Sequence, residues 1–389
     1  MDFSISESQW KEDLQYLKTT ISTKHLNPYH SISKEKLELS FQKAMMELGN
    51  ADSIQSVLIL AEFAALIGDG HTYVNPYQKL FRFPLWLNWF EGKLKINVID
   101  TTFKDYQGLE ITRIGNHTTK QALAVISKLI PKGESINLIK NHSSFYLTHG
   151  EILYALGISD NPNSLKLTVV NNEDSLIDFT IHKKPIDVYN GVTREFKNDL
   201  PLRFSNNDPL WYKKIENSEV GYFNFSRYPT ILKSKTFGRA MNKWLKKGKI
   251  KALIVDFRAN GGGDFTKGRR ILKAIKKTIL KQNIDVYIAI GGVTFSAGMS
   301  NASDFKNALN GTFIGQISGA RPNGYQENND FTLPNSKIPC SYSSEYYVFS
   351  SENTPGIIPE IYIEYNWEDY HLGIDPLINW VTNKYNREL

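Results

Sequence analysis

The sequence predicts an α/β protein built in three parts, and three observations predict it. Up to about residue 75, apolar side chains recur at helical spacing. Residues 76–190 hold short alternating runs of the strand type. From Val220 onward, continuous apolar runs alternate with helical stretches, as a buried parallel sheet with covering helices requires. The expected division is therefore 1–75 helical, 76–190 a β-rich cap, and 191–389 an α/β core.

Each element has its own signal. Trp10, Leu14, Leu17 and Ile21 mark the first helix, and Asn27-Pro28 breaks it. Ser33 stands as N-cap before Lys34-Glu35-Lys36, and Leu37, Phe41, Met45 and Leu48 continue the face. A third helix is expected from about 53 to 67, with Val57, Leu60, Ala61 and Ala64 inward, ending at Gly68-Asp69-Gly70-His71. In the cap, runs starting at Leu94 and Leu165 read as strands, with helices near 120–129 and 143–156. In the core, Val220–Phe225, Ala252–Phe257, Val286–Ile290 and the run from Thr312 read as strands. Helices fall at 231–247, about 265–280, from Ser296, and at about 375–384.

The chain has 389 residues, 41% hydrophobic and 22% charged, enough apolar material for more than one core. Its formal net charge is +6. Lys267, Arg269, Arg270, Lys273, Lys276, Lys277 and Lys281 form one dense basic run. It reads as a solvated helix face, or as an attraction for anionic partners. No nucleic-acid motif accompanies it, so no nucleic-acid partner is expected. The lone Cys340 excludes a disulfide scaffold and a cysteine-based zinc site. No His-Glu-x-x-His spacing occurs, so neither a metal nor another cofactor is expected. No membrane span and no signal peptide are visible, which makes a cytoplasmic location the expectation.

Three places could carry chemistry. The first is Asp256-Phe-Arg-Ala-Asn-Gly-Gly-Gly-Asp264, which leaves a buried strand for a helix through Gly261, Gly262 and Gly263. It reads as a tight structural turn, or as a loop whose N–H groups meet a developing oxyanion. The Lys-Ser/Thr ending of a phosphate loop is missing, and the dinucleotide-binding spacing fails too. The second place is Gly292-Val-Thr-Phe-Ser296-Ala-Gly298. Ser296 there is a nucleophile on a forced turn, with the Ala297 N–H as oxyanion donor, or simply a helix cap. The third is His71, a general base or a satisfied turn histidine. His25 and His30 flank Asn27-Pro28-Tyr29 and are expected only to pin that turn.

Taken together and in order, these motifs resemble the C-terminal processing (tail-specific) peptidase superfamily. That superfamily includes the tricorn core protease and the interphotoreceptor retinoid-binding protein. Gly68-Asp-Gly-His-Thr looks like its histidine motif, and Asp256-Phe-Arg-Ala-Asn-Gly-Gly-Gly like its glycine loop. Thr294-Phe-Ser-Ala-Gly looks like its nucleophile motif. Gly315-Gln-Ile-Ser-Gly319, Leu333-Pro-Asn-Ser336 and Gly356-Ile-Ile-Pro-Glu360 fit weaker patterns further on.

The resemblance implies a ClpP/crotonase-like core and a peptide or protein substrate. Tyr106–Asn116 is similar to part of a PDZ domain, so the cap is expected to be PDZ-like at most. One branch of the superfamily uses a lysine base. Arg321 stands in the corresponding stretch and cannot give up its proton. The other branch, like tricorn, uses Ser, His and Glu. That implies Ser296 as nucleophile, His71 as base and Glu352 as the carboxylate that orients it. Glu352 matches with one extra residue in the gap; the other reading is a loop carboxylate. Gly70 stands where tricorn-like proteins carry serine.

The oxyanion donors would be Ala297 with Gly263, or else Gly262. Arg321 is the candidate for receiving a substrate carboxylate. Such a site would lie in a cleft between domains. The alternatives are a binding protein for a peptide or apolar ligand on the same fold, a hydrolase of small esters or amides, and, more distantly, an acyl-CoA enzyme. Homo-oligomerisation is left open.

Overall fold

The computed structural model describes residues 5–75, 80–171, 173–184 and 200–385. The chain forms two compact units. One comprises Met1–Glu134, Ile139–Glu195 and Gly324–Tyr347; the other comprises Ser135–Leu138, Phe196–Asn323 and Val348–Leu389.

In the first unit, α1 (Glu7–Lys24), α2 (Lys34–Glu47) and α3 (Ser53–Ala65) follow the sequence pattern. Ser33 caps α2 by accepting the Lys36 N–H. Trp10, Leu14, Leu17, Ile21, Leu37, Phe41, Leu60 and Ala64 join one buried core. After α3 comes β1 (Tyr73–Val74). A sheet then runs β2 (Leu85–Phe90), β3 (Lys93–Ile99), β4 (Glu110–Ile114), β6 (Ser164–Val170), β7 (Leu176–His182), with β5 (His117–Thr118) beside β4. Its pairings are antiparallel. The helix α4 spans Thr119–Ile126.

The helical stretch expected at 143–156 is instead two helices, α5 (Ile136–Tyr146) and α6 (Gly150–Ala155). Between them His149 adopts extended backbone, and a β-bridge joins it to Arg82. A Cβ at Gly150 would stand 2.0 Å from the Pro162 carbonyl oxygen, so only glycine fits there.

The second unit is built on a sheet in the order β15-β12-β11-β10-β9-β8. These strands are β8 (Leu210–Lys214), β9 (Val220–Phe225), β10 (Ala252–Asp256), β11 (Asp285–Ile290), β12 (Thr312–Gly315) and β15 (Ile361–Tyr362). All pairs are parallel except β8 with β9. The helices α7 (Ile231–Lys247), α8 (Phe265–Lys281) and α9 (Ala297–Leu309) alternate with the strands. Both faces are covered. Phe223, Phe225, Met241, Ile271, Ile275 and Phe305 pack on one side. Tyr222, Ile254, Tyr287 and the final helix α11 (Pro376–Tyr385, after the short α10, Trp367–His371) pack on the other. This is why the strands read as continuous apolar runs.

One feature was not foreseen. Strands β13 (Asn323–Thr332) and β14 (Pro339–Val348) pair with each other, and β14 pairs with β1. Their sequences are rich in Asn, Ser and Tyr, without the apolar alternation that marks a half-buried strand.

Candidate active site

In the second unit, β10 and β11 both end at the edge where two loops meet. The turn after β11 is held from several sides. The Thr294 hydroxyl accepts the Gly291 N–H (3.0 Å) and donates to the Phe257 carbonyl (2.9 Å). The Gly319 and Ala320 N–H groups both donate to the Thr294 carbonyl, and Phe295 N–H donates to Asn260 O (3.0 Å). A Cβ on Gly298 would lie 2.2 Å from that same Asn260 carbonyl oxygen, so the helix can start here only with glycine.

The outcome of these constraints is Ser296 at φ 49°, ψ −129°. That conformation is strained for any residue with a Cβ and is characteristic of functional sites. The cap alternative fails, because the Ser296 side chain makes no capping bond to α9.

The glycine loop stands against this serine. A Cβ on Gly262 would sit 2.8 Å from the Ser296 Cβ, and Gly262 and Gly263 have φ of 125° and 141°. The Gly262 N–H is already committed to the Asn260 side chain (3.1 Å). Among the described residues, the N–H groups of Gly263 and Ala297 donate no hydrogen bond. Such donors, one next to the strained serine in the chain and one in the glycine loop that packs against it, are of the kind that can receive an oxyanion.

Asp256 and Arg258 in the same motif are structural. The Arg258 guanidinium bonds both Asp256 (2.6 Å) and Asp375 (2.7 Å), and Tyr222 donates to Asp256 (2.6 Å). All four residues are buried. Burial opposes the Arg258 charge, but the two carboxylates prevail and hold it protonated, while Arg258 holds the Asp375 carboxyl low. Tyr228 donates to the Ala297 carbonyl and to Asn301 (2.7 Å each), bracing the first turn of α9. Neither Asp375 nor Tyr228 had a sequence signal; both act through contacts distant along the chain.

The later family patterns in this unit are also scaffold. A Cβ at Gly315 would lie 2.3 Å from Ile290 O, and one at Gly319 2.4 Å from Gly292 O. The Ser318 hydroxyl accepts the Ile357 N–H (2.7 Å) and donates to the Ala320 carbonyl (2.7 Å). Arg321 donates to the Asn353 side chain (3.1 Å). Glu352 is exposed; its main chain bonds Ser350 and Asn323, and no hydrogen bond to its carboxylate is found among the described residues.

In the first unit, His71 is buried just after α3. Its position is fixed by Asp69, whose carboxylate accepts the His71 N–H (3.1 Å) and the Ser343 hydroxyl (2.5 Å). The other Asp69 oxygen faces His25 (3.0 Å) and His30 (3.6 Å). Burial works against the Asp69 charge, but hydrogen bonds with His25 and Ser343, with His30 close by, outweigh it and hold the carboxyl well below the usual range. Burial pulls the His71 imidazole down to about 4, against the nearby Asp69 charge and a hydrogen bond with the Tyr325 backbone. His71 is therefore neutral at pH 7, the form that can accept a proton. The role of Gly70 is modest, its N–H donating to Glu134 (3.1 Å).

His25 does pin its turn, since Nδ1 accepts the Asn27 N–H (2.9 Å), but it also serves Asp69. Sequence reading missed this second role. His25, His30 and Asp69 have ligand atoms close enough to share a cation. The Asn27 bond argues otherwise: it leaves the hydrogen of the neutral His25 ring on Nε2, the atom a metal would need bare.

No family model and no curated protein matches the chain. Solved structures do. Mature CPAF superposes with a TM-score of 0.64 at 12% identity, covering 94% of each chain. Mature CPAF complexed with lactacystin gives 0.63 at 12% identity, covering 97% of each. The photosystem II D1 C-terminal processing protease gives 0.46 at 12% identity, covering 95% of this chain and 98% of that one. At the level of the fold, this chain is similar to mature CPAF.

Proposed function

We propose that this protein is a serine-type peptidase that cleaves peptide bonds through an acyl-enzyme on Ser296. The observation that carries the reading is the strained Ser296 backbone between β11 and α9, with Gly262 of the glycine loop packed against it. In the proposed reaction, Ser296 Oγ attacks the peptide carbonyl as neutral His71 takes its proton. The tetrahedral oxyanion accepts from Ala297 and Gly263 N–H. Gly262 is the weaker candidate, its N–H being engaged by Asn260. His71 then protonates the leaving amine, and the acyl group stays on Ser296 as an ester. Water, deprotonated by His71, releases the acid and restores the serine.

Glu352 keeps the orienting role that the resemblance assigns. Burial sets how basic His71 is, with Asp69 and the Tyr325 backbone opposing it, and Asp69 holds the His71 main chain. Arg321 is proposed to receive a substrate carboxylate; it would have to exchange its bond with Asn353.

The test is labelling of the intact protein with a fluorophosphonate probe, followed by peptide mapping. We expect the adduct on Ser296, loss of labelling in Ser296→Ala, and at least a roughly hundredfold loss of rate in His71→Ala. Lactacystin, present in one of the CPAF structures, serves as a competitor. Undiminished labelling of Ser296→Ala would refute the assignment. A protein that takes no label at all would favour the binding-protein alternative.

A further inference from the structure

Helices α7 and α8 carry no acidic residue along their length. They hold six and seven lysines and arginines respectively, whereas the whole chain has a net charge of only +6. The two helices lie against each other unusually closely. A Cβ on Gly238 would meet the Ala274 Cβ at 2.9 Å and the Ile271 Cα at 3.4 Å. The Thr278 hydroxyl bonds Asn242 across the contact. Their buried residues, Met241 and Leu245 on one and Ile271, Ile275 and Ile279 on the other, share one core over the sheet.

The exposed residues therefore form two adjacent stripes facing away from it. Lys235, Arg239, Lys243 and Lys246 lie on one, and Arg270, Lys273, Lys276 and Lys277 on the other, all exposed at helical spacing. Arg269 pairs with Asp304, and Lys267 lies 3.6 Å from Asp264. None of those eight residues has an ion pair among the described residues. Close-set like charges repel in water, so the arrangement lacks an internal electrostatic reason.

We infer that this two-helix face is a docking surface for a lipid bilayer rich in anionic headgroups. Three observations favour a bilayer over a nucleic acid. The face is made of helices lying side by side, which suits a plane. Lysine, a compact point charge, predominates over arginine with its flat bidentate fork. The aromatic side chains of α7, Phe237 and Trp244, pack against Tyr212, edge-on and tilted, rather than standing out to meet bases. Ile231 and Leu232, both exposed at the start of α7, offer aliphatic groups to the acyl boundary. Attraction of this kind supplies peripheral, reversible attachment that weakens with salt.

The experiment is co-sedimentation of the full chain with vesicles of phosphatidylcholine alone, or containing about 30% phosphatidylserine, a charged-leaflet composition. We expect retention only on the anionic vesicles, falling at least about tenfold between 0.05 M and 0.5 M salt. The triple variant Lys273→Glu, Lys276→Glu, Lys277→Glu should lose at least about tenfold in binding, with its thermal transition unchanged. Lys34→Glu, Lys36→Glu, Lys120→Glu makes the same change in net charge on the other unit and should retain binding. The idea fails if wild type ignores anionic vesicles, if both triple variants lose binding equally, or if oligonucleotides compete the protein off the vesicles at lower phosphate concentration.

Discussion

Ser296 and Gly262 are understood only as a pair. The serine holds a backbone conformation that costs on the order of 1–3 kcal/mol, and its surroundings must enforce it. Gly262 presses against it and has no room for a methyl group, while Gly261, one residue earlier, has nothing within 4 Å of where a Cβ would be. The triple glycine is thus two kinds of position. We predict that Gly261→Ala leaves fluorophosphonate labelling within about twofold. Gly262→Ala, with φ of 125° and a Cβ–Cβ approach of 2.8 Å, should reduce it more than about tenfold while the protein still folds. Equal rates for the two variants would show that the loop does not shape the serine.

At the scale of elements, the turn between β10 and α8 is anchored from below. Arg258 leaves the end of β10 and reaches Asp375, which also accepts the Leu377 and Ile378 N–H groups at the start of α11. One carboxylate thus caps a helix and neutralises a buried guanidinium. Removing it would leave Arg258 to Asp256 alone and take the acceptor from the first turn of α11. Asp375→Ala is predicted to cost about 2–4 kcal/mol by denaturant titration, from the lost hydrogen bonds to a buried guanidinium and the lost helix cap. A loss of less than about 1 kcal/mol would mean that water reaches Arg258 in the folded protein.

The same scale shows what the sequence made legible. The core strands and their helices were readable because burial on both faces leaves long apolar runs. The hairpin β13–β14 was not, because its polar strands are specified by partners distant along the chain: Asp13 accepts the N–H groups of Asn335 and Ser336 at its tip. The forced turn at Ser296 was readable because it demands particular residue types locally. Asp69 was not assigned a role, since its partners His25 and Ser343 lie 44 and 274 residues away.

Over the whole molecule, the two units should respond differently to acid, and the reason lies in where the buried histidines are. His71 and His149 both belong to the first unit, and burial pulls each down to about 4 from the ordinary value near 6.5. His149 has the further cost of Arg82 beside it. The unfolded chain therefore binds these protons more readily than the folded one. Stability is complete above about pH 6.5 and falls as pH drops toward 4. Each histidine contributes on the order of 3 kcal/mol across that interval.

The second unit carries its buried ionisable groups differently. Its Asp375 is held low by Arg258, so that its stabilising effect is present above the ordinary carboxylate range and is lost only below it. Asp69 behaves likewise in the first unit. Between pH 6.5 and 4.5, then, the first unit alone should weaken. Hydrogen exchange, corrected for the intrinsic pH dependence, should show protection falling in the core amides of α1, α3 and β6 while β9, β10 and β11 hold theirs. His149→Phe should flatten the response. A uniform loss of protection across both units would mean that they unfold as one.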